Sequence, residues 1–230
     1  LPFYIRYAAH HGFDGIWLDL EHRAMDQREV QSILSMCHQH DIDCMVRAPT
    51  QERTKLYRYF EDGASGLLMP LVDDVDEARA IARSVKFPPI GNRGIDGAGL
   101  DADYAIDVDN FTDNANAETF VILQIETLNA LEQAEEIAGV EGVDGIFVGP
   151  ADLSLRLGLT PGAPTLSEAM QQVADAAARQ GKAWGTAGGG VEEWKQYRQM
   201  GAQLLIGAGD FALRDVLEEA KENMNAALGD

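Results

Sequence analysis

The chain is short of positive charge. Lys and Arg number 18 against 38 Asp and Glu, a formal charge of -20 over 230 residues. So acidic a surface is repelled by nucleic acid and by anionic membranes, which argues against both as partners. An anionic small molecule would have to be held by local positive charge, so each arginine counts. Cysteine is scarce too, with only Cys37 and Cys44. They fall in an expected helix and an expected strand. Two buried thiols fit that placement better than a disulfide, and a reducing, cytoplasmic setting is expected. No Cys-x-x-Cys pair or Cys/His cluster suggests a structural zinc. No apolar run reaches the roughly 18 residues of a membrane span. No Gly-x-Gly-x-x-Gly or phosphate-loop pattern follows a strand, so a nucleotide site of either kind has no support.

What the chain has instead is an aliphatic core and a repeated unit. Hydrophobic residues make up 46% and aromatics only 7%. A glycine, two residues and an apolar run recur at Gly12 (GFDGIWLD), Gly63 (GASGLLMP) and Gly142 (GVDGIFVG), with a looser copy at Gly201 (GAQLLIGA). The first glycine of each would take the left-handed position that ends a helix. The apolar run reads as a buried parallel strand. Strands are expected at 14–19, 42–47, 66–69, 120–125, 145–148, 182–185 and 203–206. Helices are expected at 2–11, 27–40, 52–62, 73–84, 129–138, 166–180, 191–200 and 211–228, with Asp26 and Thr165 as caps. Residues 91–117 are rich in Gly, Asp and Asn without a sustained period and read as a long functional loop.

Seven strands flanked by helices suit a single (β/α)8 TIM barrel that lacks one strand. Because the chain opens on a helix at Leu1, the expectation is a first strand upstream of it. An open doubly wound sheet is the alternative. In either fold, ligands gather at the C-terminal ends of the strands. Those ends carry Asp19, Glu21, His22, Arg47, Glu126, Asp152 and Asp210. Glu126 and Asp152 end neighbouring strands, and two such acids repel unless a cation lies between them. Two carboxylates plus water is a common way to hold Mg²⁺ or Mn²⁺, although spacing alone also fits two independent loop acids. Asp19 and His22 share one loop as an acid–imidazole pair, or His22 simply faces solvent. Arg47 reads either as a structural partner of Asp19 or Glu126, or as a clamp for an oxo or carboxylate group. The N–H groups of Gly149, Ala151 and Asp152 could cradle an anion. Alternatively Asp152 or Ser154 caps a helix, and Asp210 caps the last one.

Taken together, these residues resemble the HpcH/HpaI aldolase family, class II pyruvate-dependent aldolases related to the citrate lyase β-subunit. The matching stretches are DLEH from Asp19, VRAP from Val46, LMPLV from Leu68, FPPIGNRG from Phe87, QIET from Gln124 and GIFVGPADLS from Gly145. The resemblance implies a divalent metal (Mg²⁺ or Mn²⁺, with Co²⁺ a further option) on Glu126 and Asp152. It implies that Arg47 contacts the 2-oxo oxygen of pyruvate, with Gln124 nearby. His22, oriented by Asp19, would do acid–base work. The pyruvate carboxylate would rest on the amides of Gly149 to Asp152. The family also implies a homo-oligomer, hexamer or trimer, with the helix at 211–228 exchanged between subunits.

The expected reaction is reversible cleavage of a 4-hydroxy-2-oxo acid to pyruvate and an aldehyde through a metal-stabilised enolate. No lysine falls at a convincing strand end: Lys182 begins a strand, and Lys55 and Lys195 lie on helices. That disfavours a Schiff-base route. The acidic stretch after Arg93 disfavours a dicarboxylic substrate. It also speaks against a citrate-lyase-like reaction on a CoA thioester, one of two competing readings. The other is a barrel scaffold without catalysis.

Overall fold

A computed structural model describes residues 2–106 and 109–229. Seven strands form one sheet in chain order: β1 (Gly15–Asp19), β2 (Asp43–Arg47), β3 (Gly66–Met69), β4 (Phe120–Ile125), β5 (Gly145–Val148), β6 (Ala183–Ala187) and β7 (Leu204–Ile206). Every neighbouring pair is parallel. The helices between them are α1 (Pro2–His10), α2 (Gln27–Gln39), α3 (Arg53–Glu61), α4 (Val75–Val85), α5 (Phe111–Glu118), α6 (Leu128–Glu132), α7 (Ala134–Ala138), α8 (Pro150–Leu159), α9 (Leu166–Gln180) and α10 (Val191–Gln199). The last, α11 (Ala212–Leu228), has no buried residue. No described helix is long and apolar enough to cross a membrane.

Alternation along the strands explains why they read as continuous apolar runs. One set of side chains, including Leu67, Met69, Val121, Leu123, Ile146 and Val148, packs in the main core. The other set, Met45, Leu68, Ile122 and Phe147 with Trp17, Phe120, Ala187, Leu204 and Ile206, forms a separate cluster. That cluster draws on all seven strands, and Trp17 of β1 meets Phe147 of β5 edge to face at 5.7 Å. Side chains from distant strands meet there because the sheet curls into a nearly closed barrel, with this cluster as its lumen. The strands β1 and β7 are the ends of the sheet order. Across that gap Arg23 Nε donates to Asp210 Oδ2 at 2.8 Å, and the Tyr4 hydroxyl donates to the Ala208 carbonyl. Asp210 is therefore a cross-gap ion partner rather than the cap expected for α11, which begins without a side-chain cap.

The repeated glycines behave as the pattern implies. Gly12, Gly63, Gly142 and Gly201 all have positive φ, from 77° to 104°. Asp26 and Thr165 each close a capping box on their helices, an arrangement worth about 1 kcal/mol apiece. Three expectations differ in detail. The helix expected at 129–138 is two short ones that meet at Gln133, whose φ and ψ of -101° and 13° are not helical. The stretch 91–117 is not all loop. It carries a 3₁₀ turn, Leu100–Ala105, and helix α5, whose Phe111 and Ala115 pack one turn apart against Phe87 and Ala102. Its residues 107 and 108, like Leu1, lie outside the described residues. The polar turn after β5 is the first turn of α8, with Gly149 at the N-cap and Pro150 at the first helical position.

Candidate active site

Strand register brings the candidate residues to one rim. Asp19 ends β1 directly opposite Arg47 at the end of β2. Gln124 of β4 pairs with Phe147 of β5. Two residues further along, on the same side of each strand, come Glu126 and Gly149. Asp152 follows in the first turn of α8.

Arg47 is caged. Its Nε and Nη2 donate to the two oxygens of Asp19 at 2.9 and 2.7 Å, and its Nη1 lies 3.1 Å from Glu21 Oε2. The guanidinium stacks over Trp17, 4.7 Å from the ring centroid. Of its five donor hydrogens, three face these partners and two are left for a ligand. Burial works to raise the Asp19 pKa. The Arg47 hydrogen bonds and charge, helped by the backbone N–H groups of His22 and Glu21, outweigh it and hold the carboxyl below its usual value.

That arrangement revises the expected acid–imidazole pair. Asp19 accepts from the peptide N–H of His22 at 3.3 Å, not from its ring. The planar fork of Arg47 takes both carboxylate oxygens, a bidentate match that one ring nitrogen cannot equal. The His22 ring instead lies with Nε2 3.6 Å from Glu21 Oε2, and its side chain is 59% exposed. Glu21 thus joins the arginine to the histidine, a role that sequence reasoning did not give it. The signal was available: in extended chain, residues 19 and 21 point the same way.

Glu126 is the buried acid of the rim, 4% exposed. Its Oε1 accepts from Gln124 Nε2 and its Oε2 from the peptide N–H of Leu71, both at 3.0 Å. Gln124 Oε1 is buried without a partner. Burial raises the Glu126 pKa; the Leu71 N–H and the Arg47 charge oppose this, while the charges of Asp152 and Glu21 add to the rise. Gly149 makes room for the carboxylate: a Cβ there would lie 1.9 Å from Glu126 Oε1. Asp152 is more open. Its Oδ1 is 3.0 Å from Arg156 Nη1, one helical turn on.

The donor set fits a hard divalent cation. The four acids Asp19, Glu21, Glu126 and Asp152 outnumber the two guanidinium groups paired among them, Arg47 and Arg156, so the rim is short of positive charge. Glu126 and Asp152 offer oxygen ligands, and among the described residues no three His, Cys, Asp or Glu side chains converge on one ion position. Two carboxylates, with other positions left to water and substrate, suit Mg²⁺ or Mn²⁺ rather than a closed structural site. The N–H groups of Ala151 and Asp152 lie in the first turn of α8, where a helix leaves donors unpaired. No lysine competes for the rim. Lys182 donates to the Val143 carbonyl at the opposite end of the strands, and Lys55 and Lys195 lie on α3 and α10.

A parallel barrel with acids, an arginine and a histidine at its strand ends carries them at the face where barrel enzymes place their active sites. The family can be stated outright. The family model for HpcH/HpaI aldolase/citrate lyase matches residues 2–212, and the chain belongs to that family. Over 168 residues it is 36% identical to a hydroxypyruvate/pyruvate aldolase of Sagittula stellata, covering 73% of this chain and 66% of that one. It is 38% identical over 169 residues to a 4-hydroxy-2-oxovalerate aldolase of Rhodococcus jostii, covering 73% and 64%. The matched stretch is thus just under two thirds of the length of these two relatives. The crystal structure of an HpcH/HpaI aldolase from Desulfitobacterium hafniense DCB-2 superposes with a TM-score of 0.90 at 30% identity, covering 97% of this chain and 88% of that one.

Proposed function

We propose that the chain is a carbon–carbon lyase that reversibly cleaves a 4-hydroxy-2-oxo acid to pyruvate and an aldehyde, with a divalent metal held by Glu126 and Asp152. The observation that carries this reading is the caged Arg47 sharing one barrel mouth with the buried Glu126 carboxylate, whose neighbours Asp152 and Glu21 are of like charge to it. The aldolase names of its relatives agree with it.

Cleavage of the C3–C4 bond leaves negative charge on the 2-oxo oxygen of the pyruvate fragment. A bound divalent ion supplies Lewis-acid stabilisation of that charge. The N–H donors of Arg47 left free would bond to the same oxygen, with the guanidinium preorganised by Asp19, Glu21 and Trp17 so that little reorganisation is needed as charge develops. The amides of Gly149, Ala151 and Asp152 receive the carboxylate. Gln124 holds Glu126 in place. His22 is the base for the C4 hydroxyl proton, with Glu21 as its neighbour. It takes that proton on cleavage, and a proton delivered to C3 of the enolate then completes pyruvate; condensation reverses both transfers. The same reading carries a homo-oligomer in which α11 is exchanged between subunits; Val216, Leu217 and Met224 are each at least 60% exposed. It also carries a cytoplasmic location, in keeping with two free, buried thiols.

Pyruvate methyl-proton exchange in D₂O tests the proposal. Exchange in the presence of Mg²⁺ or Mn²⁺, abolished by chelator, is the expected result. Exchange that persists in excess chelator removes the metal from the scheme. No exchange under any metal condition leaves a scaffold. Exchange only with an acyl-CoA thioester points to a citrate-lyase-like reaction.

A further inference from the structure

The peptide N–H that holds Glu126 Oε2 belongs to Leu71, whose φ is +52°. Leucine in that left-handed conformation is strained, because its Cβ crowds the following carbonyl oxygen, and such strain persists only where the surroundings enforce it. Leu71 is 43% exposed, so its own packing is a poor source of enforcement. Two residues on, Asp73 is fastened on every side. Thr127 Oγ1 donates to its Oδ1 at 2.6 Å, and Asn129 Nδ2 lies 3.0 Å from its carbonyl and 3.2 Å from its Oδ2. The Asp73 peptide N–H donates to Glu77 Oε2 at 2.9 Å. Thr127 directly follows Glu126, and its hydroxyl also caps α6 by accepting from the Ala130 N–H at 3.0 Å. The loop after β3 is therefore stitched to the loop after β4 at residues flanking the Leu71–Glu126 bond.

We infer that Asp73 and Thr127 form a clasp that keeps Leu71 in its left-handed turn and so fixes the donor that orients Glu126 toward a divalent cation. Asp73 and Thr127 are positioning residues: their contacts are with each other's loops, not with the reacting atoms. The inference rests on the reading of Glu126 as a metal-holding carboxylate. Hydrogen bonds to a ligating carboxylate hold it in the geometry the ion needs, and losing such support weakens metal binding by about 10- to 100-fold.

The test is the Mn²⁺ dissociation constant of the full chain without substrate, by titration calorimetry, with folding checked by thermal unfolding. Asp73→Ala should weaken Mn²⁺ about tenfold or more. Asp73→Asn, which keeps an acceptor for Thr127 but not the charge, should stay within about threefold of wild type, since the clasp rests on that hydrogen bond and Asn129 still reaches the carbonyl of residue 73. Adding Leu71→Gly to Asp73→Ala should restore most of the loss, because glycine adopts positive φ without a steric penalty. Three results overturn the clasp: wild-type affinity in D73A, an equal loss in D73A and D73N, or no recovery in the double variant. A wild type that binds no Mn²⁺ overturns the clasp and the metal reading together. Should D73A fail to fold, Thr127→Val against Thr127→Ser decides the matter. Loss in the first and retention in the second support the clasp, and equal behaviour overturns it.

Discussion

Gly149→Ala isolates the geometry of the proposed metal corner in a single methyl group. The backbone at Gly149 has φ -83° and ψ 96°, a region open to any L-residue, so alanine brings no backbone strain there. All of its effect is steric. The new Cβ would lie 1.9 Å from Glu126 Oε1 and 2.7 Å from both Cγ and Cδ. Ordinary contact begins at 3.4 Å, so the carboxylate must retreat by roughly 1.5 Å or the start of α8 must lift. The first shift breaks the bond from Gln124 or the one from Leu71, and the second carries Asp152 away from Glu126. A displacement of about 1 Å at a reacting centre costs on the order of 10²-fold in rate, or roughly 2.7 kcal/mol of transition-state stabilisation. Overpacking adds about 1–3 kcal/mol of lost stability. The assay is pyruvate release coupled to NADH oxidation by lactate dehydrogenase, with a Mn²⁺ titration of the same protein. Gly158→Ala is the control: it lies in the same helix with nothing within 4 Å of its added Cβ, and it should stabilise by up to about 1 kcal/mol. A Gly149→Ala variant within tenfold of wild type, at normal Mn²⁺ affinity, would refute the reasoning.

Excess EDTA should abolish turnover, and Mn²⁺, Mg²⁺ or Co²⁺ should restore it; undiminished turnover with chelator counts against Glu126 and Asp152 as ligands. Arg47→Ala should lose about 3 kcal/mol or more in kcat/KM, the order expected of one charged oxyanion donor, and a loss under tenfold would return Arg47 to a structural role. Asp19 has its pKa lowered by folding, so its pairing contributes fully above the ordinary Asp range, near 3.9. That contribution is lost as pH falls through the folded value. The stability gap between wild type and Asp19→Asn, read by urea unfolding, should therefore be widest near neutrality and close as pH falls below the ordinary Asp range. A gap that widens on acidification contradicts the pairing.

Much of the fold was legible because its signals are local. The bounds of β3, β4 and β5 match the apolar runs residue for residue. The four helix-ending glycines adopt the conformation that only glycine takes readily. The site was legible only as a list of strand ends. Which acid meets which base depends on competition in space. Asp19 had three suitors in Arg47 and the N–H groups of residues 21 and 22, and the bidentate fork prevailed over the His22 ring. The Asp152–Arg156 pair has a plain i,i+4 spacing, but nothing in a sequence says whether such a carboxylate faces its helix or the mouth. Leu71 was beyond reach altogether, since leucine carries no signal for positive φ.

The scarcity of cations gives the site its character. Three of the 18 lysines and arginines have side chains no more than 12% exposed in ion pairs: Arg47, Lys86 and Arg93. Two of these are committed away from the mouth. Lys86 lies beneath the barrel, bonded to the carbonyls of Asn116 and Thr119 ahead of β4. Arg93 is paired with Asp101 and stacked on Phe87. That leaves Arg47 as the one buried cation at the strand ends, and two carboxylates already neutralise it. An anionic substrate entering this mouth meets a field that is negative on balance. Its carboxylate and oxo groups can be held only if further positive charge arrives with them or before them. The divalent ion proposed for Glu126 and Asp152 would supply that charge. By the same logic, a substrate with a second carboxylate at its far end would meet a rim whose nearby guanidinium groups, Arg47 and Arg156, are already taken by Glu21 and Asp152. The electrostatics therefore favour an aldehyde partner that is neutral.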